Sequence, residues 1–169
     1  RSAGVLLHIT SLPSPYGIGD LGPEAVRFAS FLKQSRQQYW QMLPLNAVEK
    51  QQGFSPYSAT SAMAGNILLI SPDLLRGDGL LTRAETSALR LPAKSTVPFN
   101  TVVTNKRKML ELAWSRKASI SKKDFSAFCQ EEKEWIDDFA CYQLLKDRFK
   151  GKPWFQWPAE FRLRKSNAL

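Results

Sequence analysis

The chain has 169 residues, of which 43% are hydrophobic, 11% aromatic and 23% charged, and a formal net charge of +9. That length is enough to bury about 70% of the extended surface in one domain, and the composition excludes gross disorder. The longest apolar runs, residues 5–7 and 67–70, fall far short of the ~20 residues of a membrane helix, so no membrane partner is expected.

Residues 5–9, Val-Leu-Leu-His-Ile, read as a strand that ends in the turn formers Ser11, Pro13, Ser14 and Pro15. A loop of about ten residues follows. Gly22-Pro23-Glu24 opens a helix, with proline at the first helical position and an acid favourable to the helix dipole. Ala25, Val26, Phe28, Ala29, Phe31 and Leu32 predict a wide buried face on it. Residues 39–43 read as a second strand, stopped by Pro44, and one intervening helix makes the pair parallel, a βαβ unit. Residues 47–64 form a long polar loop with Gly53 and Pro56, of a length usually tied to function. Residues 66–70 suit a short third strand.

Beyond Ser71, Gly and Pro become sparse and helical periodicity takes over in residues 73–75, 83–89, 101–115 and 123–149. The last stretch repeats Phe125, Phe128, Cys129, Trp135, Ile136, Phe139, Tyr142, Leu145 and Phe149 as an apolar packing stripe. Residues 92–98 read as a linker, and Trp154 and Trp157 close the helical part, more as cover for a core edge than as sugar platforms.

The charge is unevenly spread. Residues 1–70 carry five Lys and Arg against three acids, so the excess belongs to the helical remainder, where it reads as a solvated surface that includes Lys106-Arg107-Lys108. A nearly neutral, loop-rich block with Trp and Tyr suits an uncharged polar ligand better than phosphates, and no nucleic-acid partner is expected. Cys129 and Cys141, twelve residues apart in one predicted helix and so ~18 Å apart along its axis, cannot form a disulfide with each other. With a single histidine, His8, they offer no zinc-ligand spacing, so neither metal nor cofactor is expected. The chain fits a reducing cytoplasm.

Gly17-Ile-Gly19-Asp-Leu-Gly22 matches the letters of a dinucleotide fingerprint, yet its context fails. Seven residues separate it from the strand, Pro23 starts the helix only after the last glycine, and no acid for a ribose lies anywhere from residue 25 to residue 48. His8 alone supports no catalytic triad. Asp20 reads as a loop or cap residue and Glu24 as a first-turn acid.

Five ordered blocks remain: His8-Ile-Thr-Ser-Leu-Pro13, Gly17-Ile-Gly-Asp-Leu-Gly22, Trp40-Gln-Met-Leu-Pro-Leu45, Ser55-Pro-Tyr57 and Ala64-Gly-Asn66. Together they closely resemble the start of the 4-α-glucanotransferases, or amylomaltases, of glycoside hydrolase family 77. The resemblance is dense over the first eighty residues or so. It implies an α/β fold, the N-terminal part of a (β/α)8 TIM barrel with a mainly helical inserted subdomain. Residues 1–75 would be the first βα units with their substrate loops, and residues 76–169 the helical subdomain. A whole barrel takes ~250 residues, so the sequence reads as an N-terminal fragment whose partner is the rest of its own barrel.

The chemistry implied is retaining transglycosylation on α-1,4-glucans in starch, glycogen or maltooligosaccharides, by two carboxylates about 5–5.5 Å apart. Neither carboxylate is found in this sequence, so no catalytic residue is assigned. By the same resemblance Tyr57 stacks on the glucose at the cleavage point, with Ser55 beside it. His8, Trp40 and Asn66 shape the cleft and brace its loops. Met63 and Ile67 depart from the family, which often has an aromatic and a proline there. Two other readings compete: a stand-alone carbohydrate-binding module using Tyr57, Trp154 and Trp157, and a basic nucleic-acid-binding domain.

Overall fold

A computed structural model describes residues 1–165. Two compact units are present, Arg1–Ser121 and Lys122–Leu169. They divide well beyond the 75/76 boundary at which the sequence changes style, because the first helices after it pack on the loops of the strand region.

In the first unit, β1 (Gly4–Leu6) and β2 (Tyr39–Gln41) form a two-stranded parallel sheet, with Gly4 opposite Tyr39, Val5 opposite Trp40 and Leu6 opposite Gln41. The connecting helix, α1 (Pro23–Gln34), starts at the expected proline, with Glu24 in its first turn and Lys33 in its last. Both strands are shorter than expected. Ile9 leaves the extended conformation for a turn of 3-10 helix over Ile9–Ser11 and becomes fully buried with Leu12, Ala25 and Leu69. Of the expected helix face only Ala25 and Leu32 are buried, while Val26 and Phe31 are exposed. An apolar stripe is necessary for burial, but a partner surface must also be present.

The expected third strand is instead a 3-10 turn, Ile67–Leu69. Asn66 decides this locally, since its Oδ1 accepts the Leu68 N–H at 3.0 Å and turns the backbone away from an extended course. Its apolar residues still serve the core: Leu69 joins Ile9, and Leu68 packs with Ile18 and Val102.

Three helices complete the unit: α2 (Pro72–Gly77), α3 (Arg83–Ala88) and α4 (Phe99–Ser115). α4 is the spine, burying Val102, Met109 and Ala113. Met109 packs with Tyr16, Leu81 and Leu89. α3 carries a capping box in which Thr82 Oγ1 accepts the Glu85 N–H at 3.2 Å and Glu85 Oε2 accepts the Thr82 N–H at 2.8 Å.

In the second unit the long helix expected over 123–149 is two helices, α5 (Lys122–Glu131) and α6 (Ile136–Arg148). The break falls where the Trp135 indole N–H donates to the Glu132 carboxylate, and Asp137 and Asp138 favour a fresh N-terminus in the first turn of α6. Cys129 and Cys141 therefore sit on separate helices, so the spacing along one axis does not apply; both thiols are free. After α6 comes the short α7 (Ala159–Arg162). Trp157 is buried, its indole N–H donating to the Lys152 carbonyl at 2.9 Å and its ring against Tyr142 and Phe149 at 5.5 and 5.6 Å. Trp154 is exposed, so the two tryptophans do not share one role.

Among the described residues no helix is long and apolar enough to cross a membrane, and no group of three or more His, Cys, Asp or Glu side chains is placed to hold a metal ion.

Candidate functional site

Parallel pairing puts the carboxyl ends of β1 and β2 at the same edge, so the loops that leave them emerge side by side. In parallel α/β architectures that edge is where ligands bind. His8 follows the carboxyl end of β1, and Trp40 is the middle residue of β2. The Trp40 indole N–H donates to the Leu7 carbonyl at 2.7 Å, and its ring meets Phe28 edge-on at 4.9 Å. Trp40 is thus locked between β1 and α1. His8 is half-buried, and its desolvation lowers the imidazole pKa and favours the neutral ring. Its Nδ1 has no hydrogen-bond partner among the described residues.

The loop after β2 is closed at its base by antiparallel pairing of Asn46 with Gly65. The Ala47 N–H donates to the Ala64 carbonyl and the Asn66 N–H to the Leu45 carbonyl, both at 2.9 Å. Within it, the Thr60 N–H donates to the Ala47 carbonyl at 2.9 Å and Asn46 Nδ2 to the Ala62 carbonyl at 2.8 Å. Asn66, capping the next turn, therefore fixes where the loop ends.

Gly53 and Phe54 both adopt left-handed backbone, φ 63° and 57°. For phenylalanine this is an uncommon conformation that needs support from its surroundings. The support is a stack on Phe99 at the start of α4, with 4.7 Å between ring centroids and planes 7° apart. The chain then turns outward. Ser55 Oγ accepts the Tyr57 N–H at 3.3 Å and the Ser55 carbonyl accepts the Ser58 N–H at 3.1 Å, which holds Tyr57 at the tip of a tight turn. Tyr57 is 75% exposed and makes no ring contact among the described residues. The loop thus presents an exposed aromatic ring at its tip.

The two acids between β1 and β2 are both engaged by cations. Asp20 is 5% exposed and meets Lys106, 3% exposed, at 3.5 Å. Burial pushes the carboxyl up and the ammonium down, and each charge resists the other's shift. Glu24 pairs with Arg27 on the surface of α1. Asp20 is thus more than a loop or cap residue, and Lys106 does not belong to a solvated basic face. Sequence periodicity missed this pairing, because its partners lie 86 positions apart.

The glycine motif is explained by packing. A Cβ on Gly19 would lie 1.9 Å from the Ile9 carbonyl, and one on Gly22 would lie 2.3 Å from Ser71 Oγ and 2.6 Å from Asp20 Oδ1. These glycines admit the protein's own atoms.

The sequence profile described as 4-alpha-glucanotransferase matches residues 7–169. Among curated relatives, a 4-alpha-glucanotransferase of Aquifex aeolicus is 41% identical over 169 residues, covering all of this chain and 34% of that protein. One of Streptococcus pneumoniae is 40% identical over 172 residues, again covering all of this chain and 34% of the relative. The chain spans about a third of the length of these relatives. Among solved structures, the amylomaltase from Streptococcus agalactiae in complex with acarbose matches with a TM-score of 0.89 and 35% identity, over 99% of this chain and 34% of that one.

Proposed function

Because the chain belongs to the 4-alpha-glucanotransferase family, we propose that the full-length protein transfers α-1,4-glucan segments between maltooligosaccharides, starch or glycogen by retaining double displacement. Residues 1–75 supply the first βα unit of a (β/α)8 barrel and its donor-site loops, residues 76–169 a mainly helical subdomain. Tyr57 is the substrate platform, supported by Ser55. His8, Trp40 and Asn66 shape the cleft. The nucleophile and the acid come from later strands; of the acids between the two sheet strands, Asp20 is engaged by Lys106 and Glu24 by Arg27. The exposed Leu6 and Tyr39 of the sheet and Val26 and Phe31 of α1 support the remainder of the barrel as their partner, because apolar faces of this kind are normally buried by neighbouring strands and helices. A cytoplasmic location suits the two free cysteines.

The observation that carries this reading is Tyr57 itself, held by its loop with an open ring face. An aromatic face suits the C–H side of a pyranose, and its negative potential attracts the partly cationic sugar of the transition state. Glucose release from maltotriose tests it. In the full-length protein Tyr57→Ala should lower kcat/KM by about tenfold or more, the equivalent of ~1.4 kcal/mol, whereas Tyr57→Phe should retain most of the activity. Unchanged kinetics in Tyr57→Ala would remove the assignment. The 169-residue chain alone should release no glucose.

A further inference from the structure

Lys106 lies on α4 and has no part in the transfer chemistry, yet it is nearly inaccessible to solvent. Its ammonium reaches two separate segments, donating to the Asp20 carboxylate at 3.5 Å and to the Ile70 carbonyl. Asp20 belongs to the glycine loop that follows β1. Ile70 closes the 3-10 turn that Asn66 opens. The two segments also touch directly, the Leu21 N–H donating to the Leu69 carbonyl at 2.9 Å.

From this junction hydrogen bonds lead to both loops of the cleft. On one side the Gly19 N–H donates to the Thr10 carbonyl at 3.2 Å, joining the glycine loop to the residues after His8. On the other, the Asn66 N–H holds the Leu45 carbonyl and the Ala47 N–H the Ala64 carbonyl, which is the base of the Tyr57 loop. The two loops that leave the strand ends therefore share one polar anchor on α4.

An apolar side chain of similar volume would stabilise such a site at least as well, since desolvating two charges offsets most of their attraction. What an ammonium adds is direction: its donors require acceptors at fixed places, while apolar contacts permit sliding. We propose that Lys106, together with Asp20, is a positioning residue that holds the Tyr57 loop and the loop after β1 in one arrangement relative to α4. Its consequence for transfer rests on the glucan-site reading above; its consequence for loop order does not.

The test uses the full-length protein with Asp20→Asn/Lys106→Met, which removes both charges together and strands neither, and with Asp20→Asn/Lys106→Gln, which is equally uncharged but keeps a donor for the Ile70 carbonyl. In the first variant, hydrogen exchange at the Ala47, Thr60 and Asn66 amides should quicken by about tenfold while the Phe139 amide of α6 is unchanged. kcat/KM for maltotriose should fall by about tenfold, mainly through KM, and Asp20→Asn/Lys106→Gln should recover part of both losses. Unaltered exchange at the three amides, or a uniform increase that includes Phe139, overturns the proposal. Faster exchange with unaltered kinetics upholds the positioning and counts instead against the glucan-site reading.

Discussion

Phe54 and Phe99 lie face to face, 4.7 Å between centroids, and this stack joins the loop that carries Tyr57 to the first turn of α4. It also accounts for the left-handed backbone of Phe54, because the ring reaches its partner only if the chain reverses there. Phe54→Ala should therefore act twice, losing the stack and freeing the turn. We expect a stability loss of about 1–3 kcal/mol, below that of a fully buried phenylalanine, with faster proteolysis within residues 47–64. Limited proteolysis alongside urea denaturation checks both.

Gly22→Ala tests whether the glycine motif serves packing. The added methyl meets Ser71 and Asp20 at distances no real Cβ tolerates, so a loss of about 1–3 kcal/mol is expected from overpacking. Addition of NAD or ATP should leave the urea midpoint of the unsubstituted protein where it was. A nucleotide-dependent midpoint would restore the dinucleotide reading.

Thr82→Ala removes the cap of α3 and leaves the Glu85 N–H without its acceptor. The expected cost is ~1 kcal/mol, seen as a lower urea midpoint with no change of slope.

Arg116 and the capping-box hydrogen bonds from Thr82 hold the Glu85 carboxyl down at about 2, the Arg116 bond at 2.8 Å being the largest cause. A carboxyl depressed on folding stabilises the native state above its unfolded value near 4.5, and that contribution is lost as pH falls from there toward 2. Arg116→Met should thus be less stable than the unsubstituted protein at pH 7, and the gap should narrow steadily between pH 4.5 and pH 2. Urea midpoints across that range measure it; a gap independent of pH would exclude the ion pair as its source.

Much of this protein is legible in its residues read singly or in short windows. Pro23 after Gly22 marks the start of α1, one helix between two aliphatic runs makes the strands parallel, and Thr82 with Glu85 spells out a capping box that periodicity alone passes over. The ordered blocks from His8 to Asn66 carry the family. Such signals act through neighbours along the chain, where backbone geometry and local hydrogen bonds decide the outcome.

Other features were settled only by tertiary contact. Lys106 reads as one of three consecutive bases, and only its fold partners, Asp20 and Ile70, make it a buried anchor. Trp154 and Trp157 look alike in sequence, yet Tyr142 and Phe149 cover just the second. Val26 and Phe31 have the spacing of a buried face and remain exposed. Burial depends on what another segment brings to the same place, and the order of residues along one stretch of chain does not contain that information.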